Sequence, residues 1–331
     1  MSVIERFDAY QQRHRSVGFP IAVIYKYADD QGGYLAALVT YYGLLSMFPL
    51  LLLLSTILGI VLAGDPGLQQ QVLNSALSQF PVIGQDLARP KQLGGGTSGL
   101  LIGILGSLYG GLGVAQATQN AMNTAWAIPR NSRPNPFKGR ALSLGLLATV
   151  GLAVLATTAL TAIVNGAGGV ADHLGILFKL AVIGATVALN AVIFAVAFRI
   201  ATARELGMRD VAPGAIGAAV AWQALQLFGA SYVGHVAHST SATKGVFGIV
   251  LGLIAFLYLA SVVVVLCVEV NVVRHERLYP RALLTPFTDA VDLTRGDKRA
   301  YTGQAEAQRA KGFQEVDVSF GPRPRDDDNQ T

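Results

Sequence analysis

Residues 34–63 restrict the fold more than any other part of the chain, because about 30 consecutive residues carry no charged side chain. A helix of that length spans the roughly 30 Å hydrocarbon core of a bilayer. The run is longer than the apolar part of a signal peptide, so we expect it to stay in the mature protein. Within it, Tyr41, Tyr42 and Ser46 precede Pro49, which has no N–H to donate and is expected to kink the helix.

The composition assigns the chain to the polytopic membrane proteins. Of its 331 residues, 52% are hydrophobic and only 14% are charged, and the mean hydropathy is +0.46. Apolar segments separated by polar loops predict an all-α bundle of six transmembrane helices. The six predicted spans are residues 34–63, 99–127, 141–165, 174–198, 211–233 and 245–271.

The distribution of lysine and arginine predicts the orientation. The segments on one side carry four such residues before the first span, four between spans two and three, three between spans four and five, and ten after the last. On the other side, only Arg89 and Lys91 lie clearly outside a span. The positive-inside rule then places both termini in the cytoplasm. The net charge of +5 is explained by this orientation, so no nucleic-acid partner is expected.

Three regions follow from these spans. Residues 1–33 mix basic and aromatic residues and are expected to form a cytoplasmic or interfacial segment, either lying at the membrane surface or packed on the bundle. Residues 34–271 form the membrane domain. Residues 272–331 are expected to form a cytoplasmic tail that is partly disordered.

The second predicted span carries glycines on one face. They are separated by four, three, four and three residues, the spacing of one side of a helix. Small residues in such a row let another membrane helix approach closely. The five residues are Gly99, Gly103, Gly106, Gly110 and Gly113.

Four segments together resemble the YihY/BrkB family of bacterial inner-membrane proteins over about residues 10–280. They are GGYLAALVTYYGLLSMFPLLLLL in the first span, LYGGLGVAQATQNAMNTAW in the second, VAPGAIGAAVAWQALQLFGASYV in the fifth and FLYLASVVVVLCVEVNV in the sixth. The sequence departs from the family at Phe256 to Tyr258 and at Cys267, which are packing positions. The resemblance implies a six-helix inner-membrane protein linked to envelope integrity and virulence and suspected of moving lipids or other amphiphiles. An older label of the family is ribonuclease BN.

The residues argue against an enzyme. The five histidines are scattered, the single cysteine lies in the last apolar run, and no carboxylate-rich metal motif is present. A nuclease would need such metal ligands, or an acid and a base beside a phosphate-binding patch. The phosphate-binding pattern GxxxxGK[ST] is also missing, so the chain does not use ATP by itself. We therefore predict no catalytic residues, no metal and no cofactor.

Polar side chains at membrane depth are the candidates for function, because each is costly in hydrocarbon. Amide-bearing and tyrosine faces beside small residues predict a polar cleft for an amphiphilic or lipid-linked solute. The other interpretation is that these groups hold helices together by hydrogen bonds in a scaffold for envelope assembly partners, with no substrate passing through. The candidate pathway comprises Tyr41, Tyr42, Ser46, Gln116, Asn120, Asn123, Asn190, Gln223, Gln226, Tyr258 and Glu269.

Glu269 has more than one interpretation, because it lies near the cytoplasmic end of the sixth span. Its carboxylate could bind a proton that is coupled to transport. It could also reach the interface or pair with Arg274, five residues later.

Overall fold

A computed structural model describes residues 3–61, 67, 96–166, 168–237 and 242–321. These residues are helical or irregular and contain no β-strand, which confirms the all-α class for this part of the chain. Six of the helices are long, with 30 to 35 residues each. The helices are α1 (Val3–Arg13), α2 (Arg15–Asp29), α3 (Gly32–Val61), α4 (Gly96–Ala125), α5 (Pro136–Gly166), α6 (Gly168–Ala201), α7 (Met208–Ala237), α8 (Ala242–Glu276) and α9 (Arg295–Ala307).

Local sequence explains where the long helices begin and end. Between α2 and α3, Gln31 adopts a positive φ of 56°, and two glycines follow. After α4, Ala127 adopts a positive φ of 49° and Pro129 follows, so the helix does not continue. Pro136 occupies the first turn of α5, where its missing N–H is not needed. Each long helix corresponds to one predicted span.

The six long helices form a closed ring in chain order. Each packs against the helices before and after it in the sequence, and α8 packs back against α3. Helix α4 also contacts α6 and α8 across the ring. Such sequential neighbours are expected where short connections join antiparallel helices.

Four stretches are long and apolar enough to cross a membrane by length and composition. They are Leu101–Ala125, Leu180–Ala201, Met208–Gly229 and Val250–Glu276, found among the described residues alone. Leucine and isoleucine side chains such as Leu105, at 67% exposure, point away from the protein, as lipid-facing residues do. These features are those of an integral membrane protein.

The main hydrophobic core lies at the end of the ring that carries the N-terminal and C-terminal segments. It joins α2 to the last turns of α4, α6 and α8 and the first turns of α5 and α7. Both described terminal segments therefore lie at the same end of the bundle. The largest side chains of this core include Met122, Trp126, Leu146, Phe198, Leu206 and Leu278.

The C-terminal tail has a defined fold over residues 277–321, where the sequence suggested a segment that becomes disordered. Thr294 and Asp297 form a reciprocal capping box that starts α9. Asp297 and Ala300 of this helix are buried. The tail thus covers the terminal end of the ring, while residues 322–331 lie outside the described part of the chain.

Candidate functional site

The glycine face of α4 packs directly against α3. A Cβ added to Gly106 would lie 2.7 Å from Pro49, and one added to Gly110 would lie 2.5 Å from the Cα of Ser46. At Gly113 it would lie 2.2 Å from the ring of Tyr42. Three candidate pathway or hinge residues therefore fill a close helix contact instead of bounding an open cleft.

The two other glycines of this face lie nearer the start of α4. Gly103 is buried, and Gly99 lies in the first turn of α4, where the side chains around it are outside the described residues. Ser46 donates its hydroxyl hydrogen to the carbonyl oxygen of Gly43, at 2.9 Å. This bond stays within α3, so it does not itself join the two helices.

Tyr41, Gln116 and Asn120 face away from the ring. Tyr41 is 60% exposed on the side of α3 that contacts neither α4 nor α8. Gln116 and Asn120 are exposed and continue a stripe of α4. Other members of that stripe are Ile102, Leu105 and Tyr109, each at least 62% exposed. These three candidate residues thus contribute to the outer surface.

The other polar side chains of α4 bond within the protein. Gln119 donates to the hydroxyl oxygen of Ser143 on α5, at 2.9 Å. The carbonyl oxygen of the buried Asn123 side chain accepts the backbone N–H of Ala203, at 2.8 Å. Both bonds fasten neighbouring helices, as the scaffold interpretation requires.

A similar contact joins α7 to α8. The side-chain oxygen of Asn271 accepts the N–H of Gly214, at 2.7 Å, and its amide donates to the carbonyl of Val211, at 3.2 Å. A Cβ at Gly214 would lie 2.0 Å from the carbonyl oxygen of Cys267. Glycine therefore permits this close crossing.

Four candidate pathway residues remain, on α6, α7 and α8. Asn190 on α6 and Gln223 and Gln226 on α7 are half-buried. Tyr258 on α8 is 41% exposed. The structure does not bring these side chains to one point with Tyr41 or Asn120.

Glu269 lies in a buried ionic cluster at the terminal end of the ring. Its side chain is completely buried on α8, and neither carboxylate oxygen has a hydrogen-bond donor among the described residues. The ammonium of Lys26, on α2, is 3.8 Å away. Lys26 also pairs with Asp30 and donates to the carbonyl of Ala125, at 3.0 Å. Glu269 thus pairs with Lys26, whereas Arg274, the partner suggested by the sequence, donates to the backbone instead.

The charges around Lys26 keep it protonated. Burial acts to lower the pKa of Lys26, but the carboxylates of Glu269 and Asp30 outweigh burial and raise that pKa above its usual 10.5. Gln304, on α9, donates to the other oxygen of Asp30, at 3.1 Å. The cluster therefore joins α2, α8 and the tail by charge.

An open cavity of about 430 Å³ reaches Lys26 from the terminal end of the ring. Trp126 and Arg204 line it, with the guanidinium of Arg204 5.5 Å from the centre of the indole. Residues of α9 form its other wall. We name this cavity the vestibule. It connects solvent to Lys26, whose other side contacts the carboxylate of Glu269.

A second buried ionic cluster fixes the tail against α2. Arg281 is completely buried and contacts Asp29 at 2.8 Å and Asp297 at 2.5 Å. Burial acts to lower the pKa of Arg281, but these carboxylates raise it. Gln11 donates to the carbonyl oxygen of Arg281 at 2.5 Å, which adds α1 to the contact.

Sequence reasoning missed both clusters as sites. The spacing of Lys26 and Asp30 by four residues, which suits an ion pair on a helix, was the available signal for the first. For the second cluster, the available signal was the capping box of Thr294 and Asp297, which starts the helix that carries Asp297. Within the described ranges, no three His, Cys, Asp or Glu side chains come together as metal ligands would.

Comparison with known proteins supplies the family. No curated protein and no solved structure matches the chain. The sequence profile of the family described as Virulence factor BrkB matches residues 23–289, which include all six long helices and the ionic cluster of Lys26 and Glu269. The match confirms the resemblance seen in the four quoted segments, and the chain therefore belongs to the BrkB family.

Proposed function

We propose that this protein crosses the bacterial inner membrane six times, with both termini in the cytoplasm, and moves an amphiphilic or lipid-related solute in support of envelope integrity. The observation that carries the proposal is Glu269, a carboxylate at the end of a membrane helix that is fully buried without a hydrogen bond from any described residue. Such a group costs stability and marks a functional position in a membrane helix.

The proposed mechanism uses the contact of Lys26 with Glu269 as a gate. Through this contact, helix α2 separates the vestibule from the interior of the helix bundle. Alternating access would require the contact to open and to form again in each cycle. The charges of the pair make this opening sensitive to any substitution that removes one of them.

Purified protein in liposomes with fluorescent phospholipids tests the proposal. We expect the wild type to exchange lipid between leaflets and Glu269→Gln to be slower by at least about tenfold, equivalent to roughly 1.4 kcal/mol in the barrier. The control is Glu205→Gln, which removes the same charge from an exposed residue in the loop after α6 that does not line the vestibule. A wild type that exchanges no lipid would refute the lipid pathway, and equal rates for both variants would remove Glu269 from the mechanism.

A second candidate function is a membrane scaffold that binds envelope assembly partners. The bonds of Gln119, Asn123 and Asn271 favour it, because these polar groups are used to hold helices together. A folded wild type that moves neither lipids nor solutes in liposomes would support this function.

A further inference from the structure

Arg133 is a cation in the loop that joins α4 to α5, and it has no anion partner in the described part of the chain. Its side chain is half-buried, and no described carboxylate lies within ion-pair distance of it. Burial and the neighbouring charge of Arg130 lower the pKa of Arg133. The whole segment from residue 87 to residue 171 contains no Asp or Glu. The described residues therefore leave this charge unbalanced, and an anion from outside the protein can balance it.

The guanidinium of Arg133 is fixed in position. Its Nε donates to the carbonyl of Ile128, at 3.2 Å, and its Nη1 donates to the side-chain oxygen of Asn120, at 3.1 Å. Both acceptors are neutral, so neither replaces a counter-charge. The bond to Asn120 places the guanidinium over the exposed stripe of α4.

That stripe faces lipid. Helix α4 uses one face for α3, through Gly110, a second for α5, through Gln119, and a third for α8, through Ala121. The exposed stripe occupies the remaining face, and its apolar part is Ile102, Leu105 and Tyr109. Acyl chains can lie along such a stripe in a bilayer.

The polar end of the stripe lies where lipid headgroups are expected. Asn120 is five residues before the end of α4, or about 7.5 Å along the helix axis. Phe137, at 82% exposure, lies in the first turn of α5, next to this loop, and aromatic side chains favour the membrane interface. Arg130 and Lys138 add two exposed cations.

We propose that Arg133, Asn120 and Gln116 form a binding site for the phosphate of an anionic phospholipid, whose acyl chains lie along the exposed stripe of α4. The guanidinium suits a phosphate because it presents several N–H donors in one plane. Binding at this outer face does not require translocation, so a protein that moves no lipid can still show it.

Native mass spectrometry of the full chain in detergent tests the site with phosphatidylglycerol and phosphatidylcholine. We expect the wild type to bind the first phosphatidylglycerol more tightly than phosphatidylcholine. Arg133→Gln should weaken the binding of phosphatidylglycerol about fivefold, which is the effect of one cation near an anionic lipid. The matched control is Arg140→Gln, which removes a charge from an exposed residue of α5 that does not contact Asn120.

Two further measurements distinguish a lipid site at Arg133 from a site for free phosphate and from diffuse attraction by the basic loop. Arg133→Lys keeps the charge but not the planar donors, so it should keep more of the preference for phosphatidylglycerol than Arg133→Gln does. A loss as complete as that of Arg133→Gln would refute an electrostatic site. Soluble glycerol 3-phosphate should not displace the lipid, because it lacks acyl chains, and displacement by it would refute a lipid site. Equal losses in Arg133→Gln and Arg140→Gln would show diffuse attraction and overturn the proposal.

Discussion

Lys26 and Glu269 form the buried ion pair on which the proposed gate depends, and each side chain is at most 3% exposed. Lys26→Met would leave the carboxylates of Glu269 and Asp30 without their cation, a change that typically costs about 3–5 kcal/mol. Glu269→Gln should cost less, because Lys26 keeps Asp30. Thermal unfolding in detergent measures both changes.

An ion pair at the surface of α8 provides the control for the buried pair. Glu276 pairs with Arg204 at about 40% exposure, so Glu276→Gln should change stability by no more than about 1 kcal/mol. If Lys26→Met is as stable as Glu276→Gln, the buried contact does not stabilise the fold. The double variant Lys26→Met with Glu269→Gln should lose less unfolding free energy than the sum of the losses in the two single variants.

The raised pKa of Lys26 gives a prediction about alkaline pH. A lysine whose pKa is raised by folding stabilises the folded state fully below its unfolded pKa of about 10.5, and this contribution disappears as pH rises through the folded value. The difference in unfolding temperature between wild type and Lys26→Met should therefore be constant up to that pH and should decrease above it. A difference that already decreases near neutral pH would contradict this prediction.

At the scale of helices, the contact between α3 and α4 depends on glycine. A Cβ at Gly110 would lie 2.5 Å from the backbone of Ser46, so Gly110→Ala must push the helices apart and should destabilise the protein by about 1–3 kcal/mol. Gly43→Ala is the matched control on α3, because nothing lies within 4 Å of its added Cβ. Alanine favours helix, so the control should be neutral or slightly stabilising. Thermal unfolding of both variants distinguishes packing from helix propensity, and equal effects would contradict the packing explanation.

The positions of the long helices could be predicted from the sequence for a physical reason. Apolar runs bounded by charges, glycine or proline end where a bilayer ends, and each observed helix begins and ends within six residues of its predicted span. The observed helices α5, α6, α7 and α8 extend beyond both ends of their predicted spans, because a helix can continue into the polar loop. The pairing of Gly110 with Ser46 was not predictable, because helical spacing shows that a face is small but not which helix covers it.

For the whole molecule, the candidate site could be predicted only in part. Glu269 is recognisable in the sequence as a polar group at membrane depth, but its partner is on α2, far away in the sequence, and no local pattern joins the two. Helical periodicity does not distinguish a face that lines a ring interior from one that contacts lipid, so the sequence does not separate Tyr41 and Asn120 from Glu269. The packing of α8 against α3 closes the ring, and this closure decides which helix faces lie inside it.

The orientation of the whole molecule gives the last prediction. Both described terminal segments lie at one end of the ring, and the basic loops lie there too, so this end should be cytoplasmic. Cys267 is the only cysteine, so Cys267→Ala gives a background for single cysteines. In intact cells, a membrane-impermeant maleimide should not label Lys311→Cys and should label Gln85→Cys, in the segment predicted to lie outside. Labelling of Lys311→Cys only after the membrane is permeabilised completes the expected pattern, whereas the opposite pattern would place the vestibule and the Arg133 site on the outer side of the membrane.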